Sequence, residues 1–237
     1  MAVSYRELPP PTDLRAVVAC VWEQESPAPW RQLIVPDGCV DLIWLRGGEL
    51  VVAGPDTGPR TVLLPGGQPI TGIRLRPGAA GAFVRLPAAE LRDQEVDALE
   101  LLGPAGHRLV DQLAATPAAA RLDLLADAVR TRHVTPDPLV TAAARILDRP
   151  DARVASVADV LGVSERHLHR RTVDAVGYSP KLLARVLRLR RLTRPHPGQL
   201  ADRALDAGYA TQSHMSDEVR ALTGTTATRY LAGFGAV

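Results

Sequence analysis

Three side chains in the last third of this chain have the types and spacing to act on a polyanion. Arg166, His169 and Arg170 recur at intervals of three and four, which places them on one face of a helix. A guanidinium there can hold guanine O6 and N7 together, and the imidazole can donate to a base or a phosphate. The same three residues would also suit the solvated face of an ordinary bundle helix. A second polar set follows in "QSHMSDEVRALTG", at Gln212, Ser213, Ser216 and Asp217. Gln212 can pair with adenine, and the serines suit bases or backbone. Asp217 cannot bind phosphate or guanine but can accept from cytosine N4. Near the start of a helix a carboxylate is also favoured by the dipole. Glu218, about 100° further round the helix, reads as solvated.

Both sets need helices to carry them. In "VASVADVLGVSERHLHRRTVDAVG", 154–177, a helix through Val157, Val160 and Leu161 ends at Gly162, and Ser164 suits the N-cap of a second helix starting at Glu165. Two short helices with a glycine turn form a helix-turn-helix. "QLADRALDAGYATQSHMSDEVRALTG", 199–224, repeats the pattern around Gly208, with its second helix beginning near 212. Between them "SPKLLARVLRLRRLTRP", 179–195, predicts a long helix ended by Pro195 and Pro197. Roughly sixteen helical residues would span about 24 Å. With the flanking units, that can set two recognition helices about 34 Å apart, one turn of B-DNA. Leu183, Val186, Leu187 and Leu192 form the apolar face of this connector. Arg185, Arg188, Arg191 and Arg194 form an i, i+3 series with Arg190 beside it. Ser164, Lys181, Arg188, Arg191 and Arg194 are candidate phosphate contacts, which supply salt-dependent affinity without sequence information. A solvated basic stripe with ion pairs is the alternative.

Taken together, "SVADVLGVSERHLHRR", "GYSPKLLARVLRLRRL", "DAGYATQSHMS" and "LTG" resemble the DNA-binding domain of AraC/XylS-type transcription regulators, over Leu139 to Leu231. The resemblance implies that the Arg166 face enters a major groove and that the matching face of the second unit enters the next. Position 217 is often basic in that family, so Asp217 departs from it. Ala227 stands where the family often has proline. "PDGCVDLIW" and "GIRLRPGA" resemble the sensor half of a subset of the family. The family implies double-stranded DNA and a small-molecule effector as partners, with RNA polymerase and a second copy of the chain as further candidates, and activation as the commoner mode.

The remaining sequence is consistent with that. The 237 residues are 46% hydrophobic and 23% charged, ordinary for a folded globular chain. Residues 1–134 carry 13 basic and 16 acidic side chains, residues 135–237 carry 15 and 10, so the C-terminal part is the one that suits an anionic partner. Apolar runs at 31–35, 39–45, 49–53 and 70–76, separated by "PDG", "RGG" and "GPDTGP", predict short antiparallel strands. "RGGE" marks a hairpin. The expected fold class is α+β: a strand-rich, barrel-like (cupin-like) sensor domain at 1–87, a helical connecting or dimerisation segment at 88–134, and an all-α DNA-binding domain at 135–237 with two helix-turn-helix units joined by a long helix. In the middle segment Val96, Leu99 and Leu102 are expected on one helix face, and Pro117 opens a helix through Leu122, Leu125 and Val129.

Trp22, Trp30 and Trp44 lie within 23 residues and suit either a ligand pocket or a compact core. Cys39, after "PDG", suits a packed small residue, a reactive thiol or a soft-metal ligand. These four are the candidate ligand-binding residues. A thiol-responsive regulator or alkyl-acceptor enzyme acting through Cys39 is the rival function. No HExxH, CxxC, phosphate loop or nucleophile elbow appears, so no catalytic residue, metal or cofactor is expected. No apolar run is long enough for a membrane span and the N-terminus lacks a signal-peptide layout, so the expected location is the cytoplasm.

Overall fold

The computed structural model describes residues 3–45, 47–67 and 69–234, excepting the side chain of Phe234. Eight strands come first: β1 (Ser4–Leu8), β2 (Val18–Glu25), β3 (Trp30–Ile34), β4 (Val40–Trp44), β5 (Leu50–Ala53), β6 (Arg60–Leu64), β7 (Ile70–Leu75) and, after α1 (Ala80–Val84) and a 3-10 turn at Ala88–Leu91, β8 (Glu95–Asp97). Helices follow: α2 (Ala98–Leu102), α3 (Pro104–Ala115), α4 (Arg121–Thr131), α5 (Pro138–Leu147), α6 (Val154–Val160), α7 (Glu165–Val176), α8 (Pro180–Leu192), α9 (Leu200–Asp206), α10 (Gln212–Thr223) and α11 (Ala227–Phe234).

The strand-rich N-terminal half and helical C-terminal half agree with the sequence, but the barrel does not close. One sheet runs β1-β2-β7-β4-β5-β8, while β3 and β6 form a separate two-stranded sheet. All of their pairings are antiparallel. Among the described residues β1 and β8 therefore remain edges, and a cavity opens between the two sheets. The "RGGE" hairpin joins β4 to β5, with Leu42 opposite Val52; Arg46 in its turn lies outside the described residues. Val96 is a second correction. It belongs to β8, opposite Val52, and not to the helix of Leu99 and Leu102. Its spacing fitted a helix, but pairing with the free edge of β5 wins.

Strand alternation divides the large sheet into two faces. Val40, Leu42 and Trp44 point into a core that continues through Phe83, Leu91, Leu113, Leu125 and Val129. Residues 88–134 therefore share one apolar core with the strands. Asp41 and Ile43 point the other way, into the inter-sheet cavity. A second core, from Val140 to Tyr230, holds the C-terminal helices together and includes Leu168, Leu183, Val186, Leu187, Leu192, Met215 and Leu222.

The two halves are packed together. α7 rests on α1 and on the 3-10 turn at Ala88–Leu91. Gly177, at the C-cap of α7, has φ 93°, a conformation that disfavours any residue with a side chain. A Cβ there would also come within 2.5 Å of Pro55 Cγ. The next residue, Tyr178, is 2% exposed, and its hydroxyl lies 3.0 Å from where Gly38 would carry a Cβ. The "PDG" turn before β4 is thus seated against the turn between α7 and α8.

Candidate nucleic-acid interface and the inter-sheet cavity

Each predicted recognition helix is present and capped. In α7 the Ser164 side chain accepts from His167 N, and the helix ends at Gly177. In α10 Thr211 accepts from His214 N, and Gly224 ends the helix. Leu168, Thr172 and Val176 are buried beneath α7; Met215, Val219 and Leu222 are buried beneath α10. Arg166, His169 and Arg170 of α7 are all exposed, as are Glu165 and Asp174. On α10 Gln212, Ser213 and Asp217 are exposed, and Ser216 is half-buried with its hydroxyl donating to Gln212 O at 3.0 Å. α11 forms despite Ala227 in place of proline, with Ala227 itself 4% exposed.

Glu218 is a correction. It is 9% exposed and turns inward, accepting from Arg185 Nε at 3.2 Å and Arg188 Nη1 at 3.1 Å; His214 Nε2 stands 3.6 Å away. The acidic pair on α10 is therefore split: Asp217 faces water and Glu218 pins α10 to α8.

The arginine series on α8 is corrected in the same way. Arg191 is 8% exposed and donates to the carbonyls of Ala207 and Leu147 and to Asp148, so it is not a phosphate contact. Burial sets its pKa below the usual guanidinium range, offset in part by Asp148. Arg188 is held by Glu218 and lies 5.3 Å over the Tyr209 ring. Arg190 and Arg194 pair with Asp148 at 3.5 and 3.2 Å. α8 also stops at Leu192, so its 13 residues span about 20 Å. Lys181, Arg194 and Ser164 are exposed; they and Arg188 remain near the surface.

In the N-terminal half, the four candidate ligand residues do not converge. A cavity of about 700 Å³ lies between the sheets, and Trp22 and Cys39 line it. Trp44 is on the opposite face of β4, in the core, with Arg121 5.9 Å from its ring. Trp30 begins β3 and is half-buried away from the cavity. The cavity is roofed by Val186, Leu189 and Arg190 of α8 and by Thr193, its C-cap. Its charged centre is Arg74, which sequence reading missed. Arg74 Nε lies 3.1 Å from Asp41 and 3.4 Å from Asp37, and Nη1 lies 3.1 Å from Glu7. Burial pushes the Asp41 carboxyl above its ordinary value, and Arg74 and the Trp22 indole, which donates at 3.2 Å, act against that shift.

The thiol reading of Cys39 does not fit its surroundings. The side chain is 7% exposed, and burial, reinforced by Asp37, pushes its thiol pKa well up. Cys20 is 8% exposed and burial raises its thiol pKa to about 12. Reactivity needs the thiolate, so neither group is activated. At pH 8 a thiol reagent should label the native chain slowly, while the chain unfolded in guanidinium takes up two equivalents quickly. Rapid stoichiometric labelling of Cys39 in the native chain, located by peptide mass, would restore the thiol reading.

Comparison with known proteins covers the two halves separately. A family model described as a domain of unknown function (DUF6597) matches residues 6–97. A model described as a helix-turn-helix domain matches residues 157–233. No curated protein sequence matches the chain. Among solved structures, ToxT from Vibrio cholerae aligns over 98% of each chain with 9% identity and a TM-score of 0.47. ToxT from the same species with bound unsaturated fatty acid aligns over 93% of this chain and 96% of that one, with 12% identity and a TM-score of 0.46. With both capped helices in place, residues 157–233 form a helix-turn-helix domain.

Proposed function

We propose that the protein is a sequence-specific, effector-responsive transcription regulator of the cytoplasm. α7 and α10 read successive major grooves of one duplex. Arg166, His169 and Arg170 contact bases from the first; Gln212, Ser213, Ser216 and Asp217 face the second. Ser164, Lys181 and Arg194 contact the backbone, with Arg188 assisting from beside Glu218. The inter-sheet cavity holds the effector.

One observation carries this reading: α8 faces both ways. Val186, Leu189 and Arg190 form part of the cavity wall, while Arg185, Arg188 and Arg191 of the same helix hold α10, Ala207 and Asp148. A molecule in the cavity therefore touches the helix that sets one reader against the other. Binding that favours one α8 placement shifts the population able to engage both grooves.

Binding-site selection from random duplexes, run at several salt concentrations, tests the DNA half of the proposal. The expected result is an enriched site with two half-sites about 10 bp apart and affinity at least about 10³-fold above random duplex. Equal affinity for selected and random duplexes at every salt concentration would leave only a non-specific binder.

A further inference from the structure

Six carboxylates and three guanidinium groups line the inter-sheet cavity, an excess of three negative charges. Their pairing sharpens the imbalance. Arg74 is shared by Glu7, Asp37 and Asp41. Arg60 is shared by Asp56 at 2.7 Å and Glu95 at 3.8 Å. Arg190 is drawn away to Asp148, which is not part of the wall. An anion entering here would meet carboxylates whose counter-ions are already occupied.

An independent observation marks the cavity as a binding site. Gln24 is 3% exposed and lines the cavity from β2, yet among the described residues its amide nitrogen has no hydrogen-bond partner. A buried N–H donor left unpaired costs free energy, and a hydrogen-bond acceptor on the body of a ligand would satisfy it. Two residues along the same face, the Trp22 ring lies tilted 6.0 Å from that of Tyr5, so two aromatic rings border the acidic end. Aromatic faces attract cations. Apolar side chains line the rest of the cavity alongside the Arg60 group, among them Ile34, Ile43, Val62 and Leu64. Among the described residues no three acidic, His or Cys side chains are grouped to hold a metal ion. A volume of about 700 Å³ falls in the range of small-molecule sites.

We infer that the cavity takes an organic cation: an amine or quaternary ammonium on a largely apolar body that also carries a hydrogen-bond acceptor for Gln24, with its charge beside Glu7, Asp37, Tyr5 and Trp22 and its body against β3, β6 and α8. The inference rests on the reading of this cavity as the effector site.

Calorimetric titration of the full chain with three probes of one shape tests it: phenylbutyl-trimethylammonium, phenylbutanol and phenylbutyrate. The ammonium compound is expected to saturate and to bind at least about tenfold more tightly than the carboxylate, as one opposed charge at a partly screened site implies. Glu7→Gln, at a half-exposed position on the edge strand, should reduce that preference several-fold while leaving DNA binding intact. Tightest binding by the carboxylate or the alcohol would overturn the cation assignment and leave the effector site standing. Absence of saturable binding by all three would overturn the assignment as well. The site-selection experiment needs no ligand, so it decides the DNA-binding reading separately.

Discussion

Glu218→Ala should lower the stability of the protein by about 3 kcal/mol, because it leaves Arg185 and Arg188 without their shared counter-ion. The magnitude follows from burial. Glu218 is 9% exposed, while the Arg185 and Arg188 side chains are 32% and 18% exposed. Breaking a fully buried pair costs about 3–5 kcal/mol, and partial access of water to the two arginines holds this one near the lower end. In a chain of this size the loss corresponds to a fall in Tm of about 6–12 °C. Glu218→Gln keeps the shape and some hydrogen bonding but not the charge, and should fall between. Thermal unfolding of the three proteins at equal concentration measures the effect. A change under about 1 kcal/mol for Glu218→Ala, the value of an exposed pair, would show that the network is superficial. The effect on DNA should follow from geometry. Glu218 is the side chain of α10 that ties it to α8, so its loss should weaken contacts in the second half-site more than in the first.

How far the sequence foretold this architecture depends on the reach of each signal. The two helix-turn-helix units were legible because their signals are local. Ser164 caps α7 three residues before the N–H it accepts, and Gly177 ends it. Thr211 and Gly224 do the same for α10. The roles of the α8 arginines were not legible. An i, i+3 series says which side chains share a face, not what stands opposite. Asp148 lies 42 to 46 residues before its arginine partners, and Glu218 lies 30 or more residues after its own. The tryptophans show the same limit. Trp22 and Trp44 are close in sequence, but strand parity sends one to the cavity and the other to the core. The cavity itself depends on β3 and β6 forming a separate sheet, a pairing across 26 or more residues that no local pattern specifies.

Asp217→Arg and Arg170→Ala should move DNA binding in opposite directions, and together they measure how unequal the two readers are. Arg170 is exposed on the outward face of α7, its guanidinium only 3.4 Å from His167 Nδ1 and free of any carboxylate among the described contacts. If it holds a guanine, Arg170→Ala costs about 1–3 kcal/mol at that base pair, a loss of about 5- to 150-fold on the selected duplex, with relaxed preference at one position of the first half-site. Asp217 is exposed on α10 with its neighbour Glu218 turned inward, so it is the one negative charge that α10 presents outward from its first two turns. Replacing it by arginine removes a repulsion and adds a phosphate or guanine partner. Affinity should rise on selected and random duplexes alike, with a salt dependence steeper by about 0.9 in the log–log slope for one further phosphate. Base preference should change at one position of the second half-site. Weaker binding with loss of a cytosine preference there would instead assign Asp217 to cytosine N4 and make α10 a full reader. No change in affinity, slope or preference would mean that Asp217 faces away from DNA, and that α7 carries the base recognition with α10 as its support.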